Sequence, residues 1–195
     1  MVAGAARSTS TRVAVFAAYA AQGLGYAVVV TSLPALKQRQ GVDDTVVTLI
    51  VLGVAIAAAG GSVLANALAV RFASRTALVV GLLLQAAALP AIALPTPFPL
   101  FVSLFAVYGI GLGCVDAATA MQGVIVQRAH GKPLLGGFFS AYTAAATAGA
   151  LLVSAIAASP FAAGVAIGTA GVAILVVAVV GIRLFAREVP IETAL

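Results

Sequence analysis

Long apolar segments, separated by short polar or proline-containing connections, make up most of this chain. Each segment has about twenty residues or more, the length at which a helix rising 1.5 Å per residue crosses about 30 Å of hydrocarbon. The proline cluster Pro95, Pro97 and Pro99 closes the third segment, because helix interiors do not tolerate such a cluster. We therefore predict an all-α membrane protein with six transmembrane helices, at residues 13–36, 45–69, 76–94, 98–127, 134–159 and 161–184.

Composition supports this prediction and excludes a soluble fold. Of the 195 residues, 63% are hydrophobic and 8% are charged, whereas soluble domains are about a quarter charged. We expect residues 1–12 to form a short disordered cytoplasmic tail and residues 13–184 to form one six-helix transmembrane domain. The polar residues 185–195 then form a second cytoplasmic tail or the start of a linker.

The net charge of +5 reflects topology rather than binding to nucleic acid, because the basic residues are scattered singly between apolar runs. Eight of the ten Lys and Arg residues fall on the side of the membrane that holds both termini, and Lys37 and Arg39 fall on the other. Since cytoplasmic loops carry the excess of positive charge, we predict a multi-pass protein of the cell (bacterial inner) membrane with both termini cytoplasmic.

The two halves of the chain resemble each other. A shift of 88 positions places Gly23–Gly25 on Gly111–Gly113 and Gly61 on Gly149. Because each half contains an odd number of spans, two equivalent halves must cross the membrane in opposite directions. The expected architecture is two inverted three-helix repeats, at residues 13–94 and 98–184.

Asp116 is an acidic side chain inside an apolar span, a little past the middle of the fourth. A central Asp costs about 2.5–3.5 kcal/mol on insertion, and about a dozen Leu, Ile, Phe and Val residues return about 4–7 kcal/mol. The segment can therefore insert, but the carboxylate should face protein or water rather than lipid. We interpret Asp116 as a binding site for a proton, a cation or a substrate hydroxyl; the alternative is a structural hydrogen bond to a neighbouring helix.

Enzymatic, metal and cofactor functions find little support. An aspartyl intramembrane protease needs two carboxylates in the spans, and a serine type needs a histidine base there, whereas His130 lies in a loop. The lone Cys114 excludes an internal disulfide framework, and with His130 it makes no metal-ligand set. We expect no enzymatic activity, no cofactor and no metal.

The connection between spans two and three carries a glycine-led, basic stretch. Gly61, Arg71 and Arg75 match in kind residues of a motif found in the N-terminal six-helix half of major facilitator superfamily (MFS) transporters, which the chain resembles over nearly its whole length. In that family the motif helps to lock a gate, which would make these three the gating residues. The chain departs from it at Val70, where the family usually has Asp, and at Ala73, where it has Gly.

The end of span four gives a second resemblance. Asp116, Gln122 and the Lys132–Pro133 pair are similar to a pattern in bacterial transporters near the fucose permeases. Ala120 replaces an Asn of that pattern, and Gln127 stands where an acidic residue is common.

The resemblance implies that spans one and four line a substrate pathway. The polar residues expected to face it are Asp116 and four others: Gln22, Tyr19, Tyr26 and Gln122. Such amides and phenols would suit a small polar or amphipathic solute, moved together with a proton or another cation. The alternative role is hydrogen bonding between helices, worth about 0.6 kcal/mol for each bond.

A complete transporter of the resembled family is about twice as long as this chain. We therefore expect alternating-access transport by a half-size unit that needs the lipid bilayer, a small-molecule substrate and a second six-helix half, either a copy of itself or another chain. The alternative is a non-transporting regulatory or assembly subunit, or a fragment of a full transporter.

Overall fold

The computed structural model describes residues 2–159 and 161–186, with side chains described from residue 9 onward. Pro160, proposed as a turn, and most of the predicted C-terminal tail lie outside these residues. The described part of the chain forms six helices and no strand, and all six are long and apolar enough to span a membrane, which confirms the all-α prediction. They are α1 (Val2–Gln40), α2 (Asp44–Phe72), α3 (Ser74–Ala93), α4 (Phe98–His130), α5 (Leu135–Ile156) and α6 (Ala162–Leu184).

The first helix differs most from the sequence prediction. It begins at Val2, whereas the pattern predicted a disordered tail over residues 1–12. Alanine is the best helix former and the stretch holds no proline, so nothing local prevents the helix from continuing backward from the span. The helix ends at Gln40, just before Gly41 takes a left-handed φ of 64°.

Helices α1 and α4 occupy equivalent central positions. Helix α1 packs mainly on α5 and α6, and α4 packs in the same way on α2 and α3. Helices α3 and α6 pack against each other behind this pair, while α2 and α5 lie at the flanks with most of their surface exposed. The two three-helix units therefore make matching contacts, as expected for a repeat.

The contacts at the glycines revise the register of the repeat. A Cβ on Gly61 of α2 would meet the Ile110 carbonyl of α4, and one on Gly149 of α5 would meet the side chain and carbonyl of Leu24 in α1. Gly61 and Gly149 are 88 positions apart, as in the sequence comparison, whereas their partners Leu24 and Ile110 are 86 positions apart. Since α1 and α4 are rich in small residues at short intervals, sequence matching slips easily by two positions there, and only the packing fixes the register.

The connection after α1 is held by side chains of its own last turn. The Arg39 guanidinium donates to the carbonyls of Ile92 and Ala93 at 2.6 and 2.8 Å, which lack partners within α3 because that helix ends there. Lys37 pairs with Asp44 at 2.6 Å on the exposed side of the same connection. Arg39 thus caps the C-terminal end of α3, where a positive charge is favourable.

A single residue, Ala73, joins α2 to α3 in a backbone conformation that alanine rarely adopts. Its φ is 106° and its ψ is 152°, and among the described residues it is the non-glycine residue with a positive φ. This region is almost exclusive to glycine, because a Cβ collides with the backbone there. The position is the one where the resembled MFS motif has glycine, so the geometry gives that preference a physical reason.

Ala73→Gly is therefore expected to stabilise the protein. A non-glycine residue in this conformation costs about 1–3 kcal/mol, and removing the Cβ relieves most of that cost. The measurement is the midpoint of thermal unfolding in detergent, followed by the loss of the monodisperse peak in size-exclusion chromatography. Ala67→Gly, on the exposed face of α2, is the matched control and should lower the midpoint. A lower midpoint for Ala73→Gly would contradict the strain argument.

Candidate functional site

Asp116 lies on the face of α4 that turns toward α1, and its side chain is exposed on the open side of the bundle. The amide of Gln22 in α1 donates a 2.8 Å hydrogen bond to its Oδ1. The same amide also approaches the carbonyl of Leu112 at 3.4 Å. Two predicted site residues are thus brought together, and the carboxylate keeps an accessible oxygen.

A third helix completes this arrangement. Gln85 of α3 is fully buried, and its Nε2 donates a 2.7 Å hydrogen bond to Oε1 of Gln22. The two bonds fix the Gln22 side chain, since its oxygen accepts from Gln85 and its NH₂ group is left to face Asp116. Amides from α1 and α3 therefore orient a donor toward the carboxylate of α4.

The sequence analysis did not connect Gln85 with Asp116. One signal was available, because an amide buried in an apolar span must find a hydrogen-bond partner. The identity of that partner depends on how α1 and α3 face each other, and a single sequence does not contain this information.

The predicted tyrosines divide into two environments. Tyr26 follows Gln22 by one helical turn and is 43% exposed on the same open face. Tyr19 is buried, stacks on Phe138 at 5.4 Å between ring centroids, and meets Phe139 edge-on at 5.5 Å. Tyr26 can therefore contact a molecule in the open face, whereas Tyr19 forms part of the packing between α1 and α5.

Gln122 lies away from this group, six residues beyond Asp116 or about 9 Å along α4. It is fully buried, and its Nε2 donates to Ser74 Oγ and to the Ala186 carbonyl, both at 2.9 Å. Its Oε1 accepts from the Ala186 amide at 2.9 Å. These bonds fasten the end of α6 to α4 and to the start of α3, so Gln122 is not brought together with Asp116.

The three predicted gating residues make different contacts. Gly61 lies within α2 against α4, and a Cβ there would collide with the Ile110 carbonyl. Arg71 is exposed, with its guanidinium 5.4 Å from the Phe72 ring. Arg75 donates to the Ile182 carbonyl at 3.1 Å, near the end of α6. Among the described residues, no His, Cys, Asp and Glu side chains form a metal-binding group.

The comparison with protein families agrees with this architecture. Residues 15–194 match the family model described as Major Facilitator Superfamily. The chain belongs to the Major Facilitator Superfamily. It is therefore a multi-pass membrane protein, as its six apolar helices indicate.

A Yersinia pestis protein described as an uncharacterized MFS-type transporter is 30% identical to this MFS chain over 154 residues. The match covers 78% of this chain and 39% of that protein. The chain thus spans well under two thirds of the relative that it matches. No solved structure gives a significant match. These comparisons give the superfamily and not the fucose-permease branch, which stays a prediction.

Proposed function

We propose that this chain is one six-helix half of a secondary-active transporter that moves a small solute by alternating access. The observation that carries the proposal is Asp116, an accessible carboxylate on the inner face of a six-helix MFS unit, with a donor oriented toward it by two buried amides. Ionisable groups inside membrane proteins are costly, and they commonly mark substrate, ion or proton pathways.

A second six-helix half would cover the open face of α1 and α4. Support comes from the lengths, because the matched region is 39% of the Yersinia protein, which leaves room there for a second unit of similar size. The second half is either another copy of this chain or a different chain. Helices α2 and α5 would contact lipid along much of their exposed surfaces, and both termini would be cytoplasmic at the inner membrane.

Asp116 would take up and release a proton or bind the cargo during each transport cycle. Gln22 donates to the charged carboxylate and would hold it in one orientation. Tyr26 would contribute an aromatic surface and a hydroxyl to the same cavity. Gly61 would let α2 approach α4 closely, and Arg71 and Arg75 would interact at the cytoplasmic gate.

One observation supports a second function, that of a non-transporting regulatory or assembly subunit. Val70, 48% exposed, stands where the resembled motif usually carries the acidic residue that locks the gate. Without that charge the gate would close less firmly, which matters less to a subunit that does not transport. A transport measurement on the purified chain separates the two functions.

The direct test uses proteoliposomes that hold the purified chain and an internal pH-sensitive dye. A panel of amino acids, sugars, amines and carboxylates is added outside, and a transporter coupled to protons should change the internal pH with at least one of them. Protein-free liposomes are the control. No response to any solute, with correctly inserted protein, would favour the regulatory function.

The protein mass of the detergent-solubilised particle tests whether the second six-helix half is another copy of this chain. We expect a homodimer, since a second copy offers the same open face around Asp116. Light scattering coupled to size-exclusion chromatography gives the protein mass separately from the detergent. A monomer of 19.2 kDa would contradict self-completion and would require a different partner chain.

A further inference from the structure

The surroundings of Asp116 also indicate which class of solute the site would accept, an inference that rests on the proposed function. Three accessible side chains from three helices border the same part of the open face. Asp116 on α4 is exposed, Tyr26 on α1 is 43% exposed, and Tyr142 on α5 is partly exposed. Phe139, one turn before Tyr142, is 58% exposed.

The packing of α1 brings these residues to one place. Gln22 is bonded to Asp116, and the next residue, Gly23, lies directly against the backbone of Tyr142. Tyr26 follows three residues after Gly23, on the same face of α1. The α5 backbone at Tyr142 therefore lies against the same turn of α1 that carries Gln22 and Tyr26.

The charge of the site selects a cation. Arg12 lies within α1, ten residues or about 15 Å before Gln22 along the axis. The other described basic side chains lie near helix ends or in connections, and Arg128 on α4 is about 18 Å from Asp116 along the axis. The ion pair formed among the described residues joins Lys37 to Asp44, at the outer connection. The Asp116 carboxylate therefore has no cationic partner within the described part of the chain.

We propose that Asp116, Tyr26 and Tyr142 form a binding site for a small organic ammonium ion. The carboxylate supplies the opposite charge, and the faces of the two tyrosine rings attract a cation through their quadrupoles. An anion would be repelled by the carboxylate, and a neutral solute could donate a hydrogen bond to it but would lack the attraction between opposite charges.

The test uses three probes that share a ring and differ in head group: benzylammonium, benzyl alcohol and benzoate. Their stabilisation of the purified full chain against heat, at matched free concentrations and equal ionic strength, gives apparent affinities. We expect benzylammonium to bind about tenfold more tightly than benzyl alcohol, with benzoate the weakest. Asp116→Asn should remove the preference for benzylammonium over benzyl alcohol.

Matched tyrosine variants distinguish attraction of the cation to the ring face from apolar contact alone. Tyr26→Phe and Tyr142→Phe keep the aromatic face and should retain benzylammonium affinity. Tyr26→Leu and Tyr142→Leu keep an apolar side chain without an aromatic face. Each should lower the affinity for benzylammonium about two- to fivefold and leave the affinity for benzyl alcohol unchanged. Equal losses for both probes, or for the Phe and Leu variants, would overturn the cation–aromatic assignment.

The outcome is distinguishable from failure of the proposed function. Equal binding of benzylammonium and benzyl alcohol to the wild-type chain would overturn the ammonium site. The same result is expected if a basic side chain of a second half pairs with Asp116, and it would overturn the site in that case too. Asp116-dependent transport of another solute would still support the transporter. Selective binding of benzylammonium without any transport would keep the site and reject the transporter.

Discussion

Asp116→Asn is expected to abolish solute-driven proton movement, reducing it to the level of protein-free liposomes. The substitution keeps the size and shape of the side chain but removes its charge and its ability to exchange a proton. Gln22 can still donate to the remaining carbonyl oxygen, so the contact between α1 and α4 should persist. Loss of activity would then report on the charge rather than on folding.

The measurement is the internal pH change in proteoliposomes on adding an active solute, with equal amounts of inserted protein. Asp44→Asn is the matched control, because it makes the same chemical change at an exposed position outside the apolar core. Loss of its ion pair with Lys37 should cost about 1 kcal/mol or less. Undiminished transport by Asp116→Asn would rule out the coupling role.

Gly61→Ala is expected to destabilise the protein. The added Cβ would collide with the Ile110 carbonyl and lie 2.9 Å from the Cys114 amide nitrogen, so the backbones of α2 and α4 would have to separate. Overpacking of this kind costs about 1–3 kcal/mol, and the flanking α2 has α4 as its main partner. Separation would also stretch the 3.2 Å hydrogen bond from Ser62 to the Gly113 carbonyl.

Gly60→Ala is a closely matched control, because it adds the same methyl group one residue earlier in α2. A Cβ on Gly60 would have no neighbour within 4 Å. We expect Gly60→Ala to leave the midpoint of thermal unfolding unchanged or slightly raised, because alanine is the better helix former. Equal midpoints for the two variants would contradict the close approach of α2 and α4 at Gly61.

Gly61 and Arg71 lie in different surroundings in the structure. The resemblance grouped them with Arg75 as gating residues, and the structure distributes them over a helix interface, an exposed helix end and a contact with α6. Their gating role remains a prediction. The motif position with the clearest structural reason is Ala73, whose backbone conformation favours the glycine found in the resembled family.

The sequence by itself determined the number of helices, their membrane location and the resemblance to the superfamily. Apolar runs of spanning length leave the chain few alternatives, because backbone groups in lipid must bond within their own helix. It also identified Asp116, since a carboxylate in an apolar span is recognisable from composition alone. Helix existence and single unusual residues are local properties, so a single sequence contains them.

The tertiary structure decided which polar residues act together. It joined Gln85 to Gln22 and Asp116, and it showed that Gln122 of α4 bonds to the backbone at the end of α6. It also changed the offset between equivalent residues of α1 and α4 from 88 to 86 positions. All three depend on how helices rotate and slide against one another. In an apolar sequence rich in alanine and glycine, several faces of each helix look equally suitable for packing, and the choice among them is made by contacts between residues far apart in the chain.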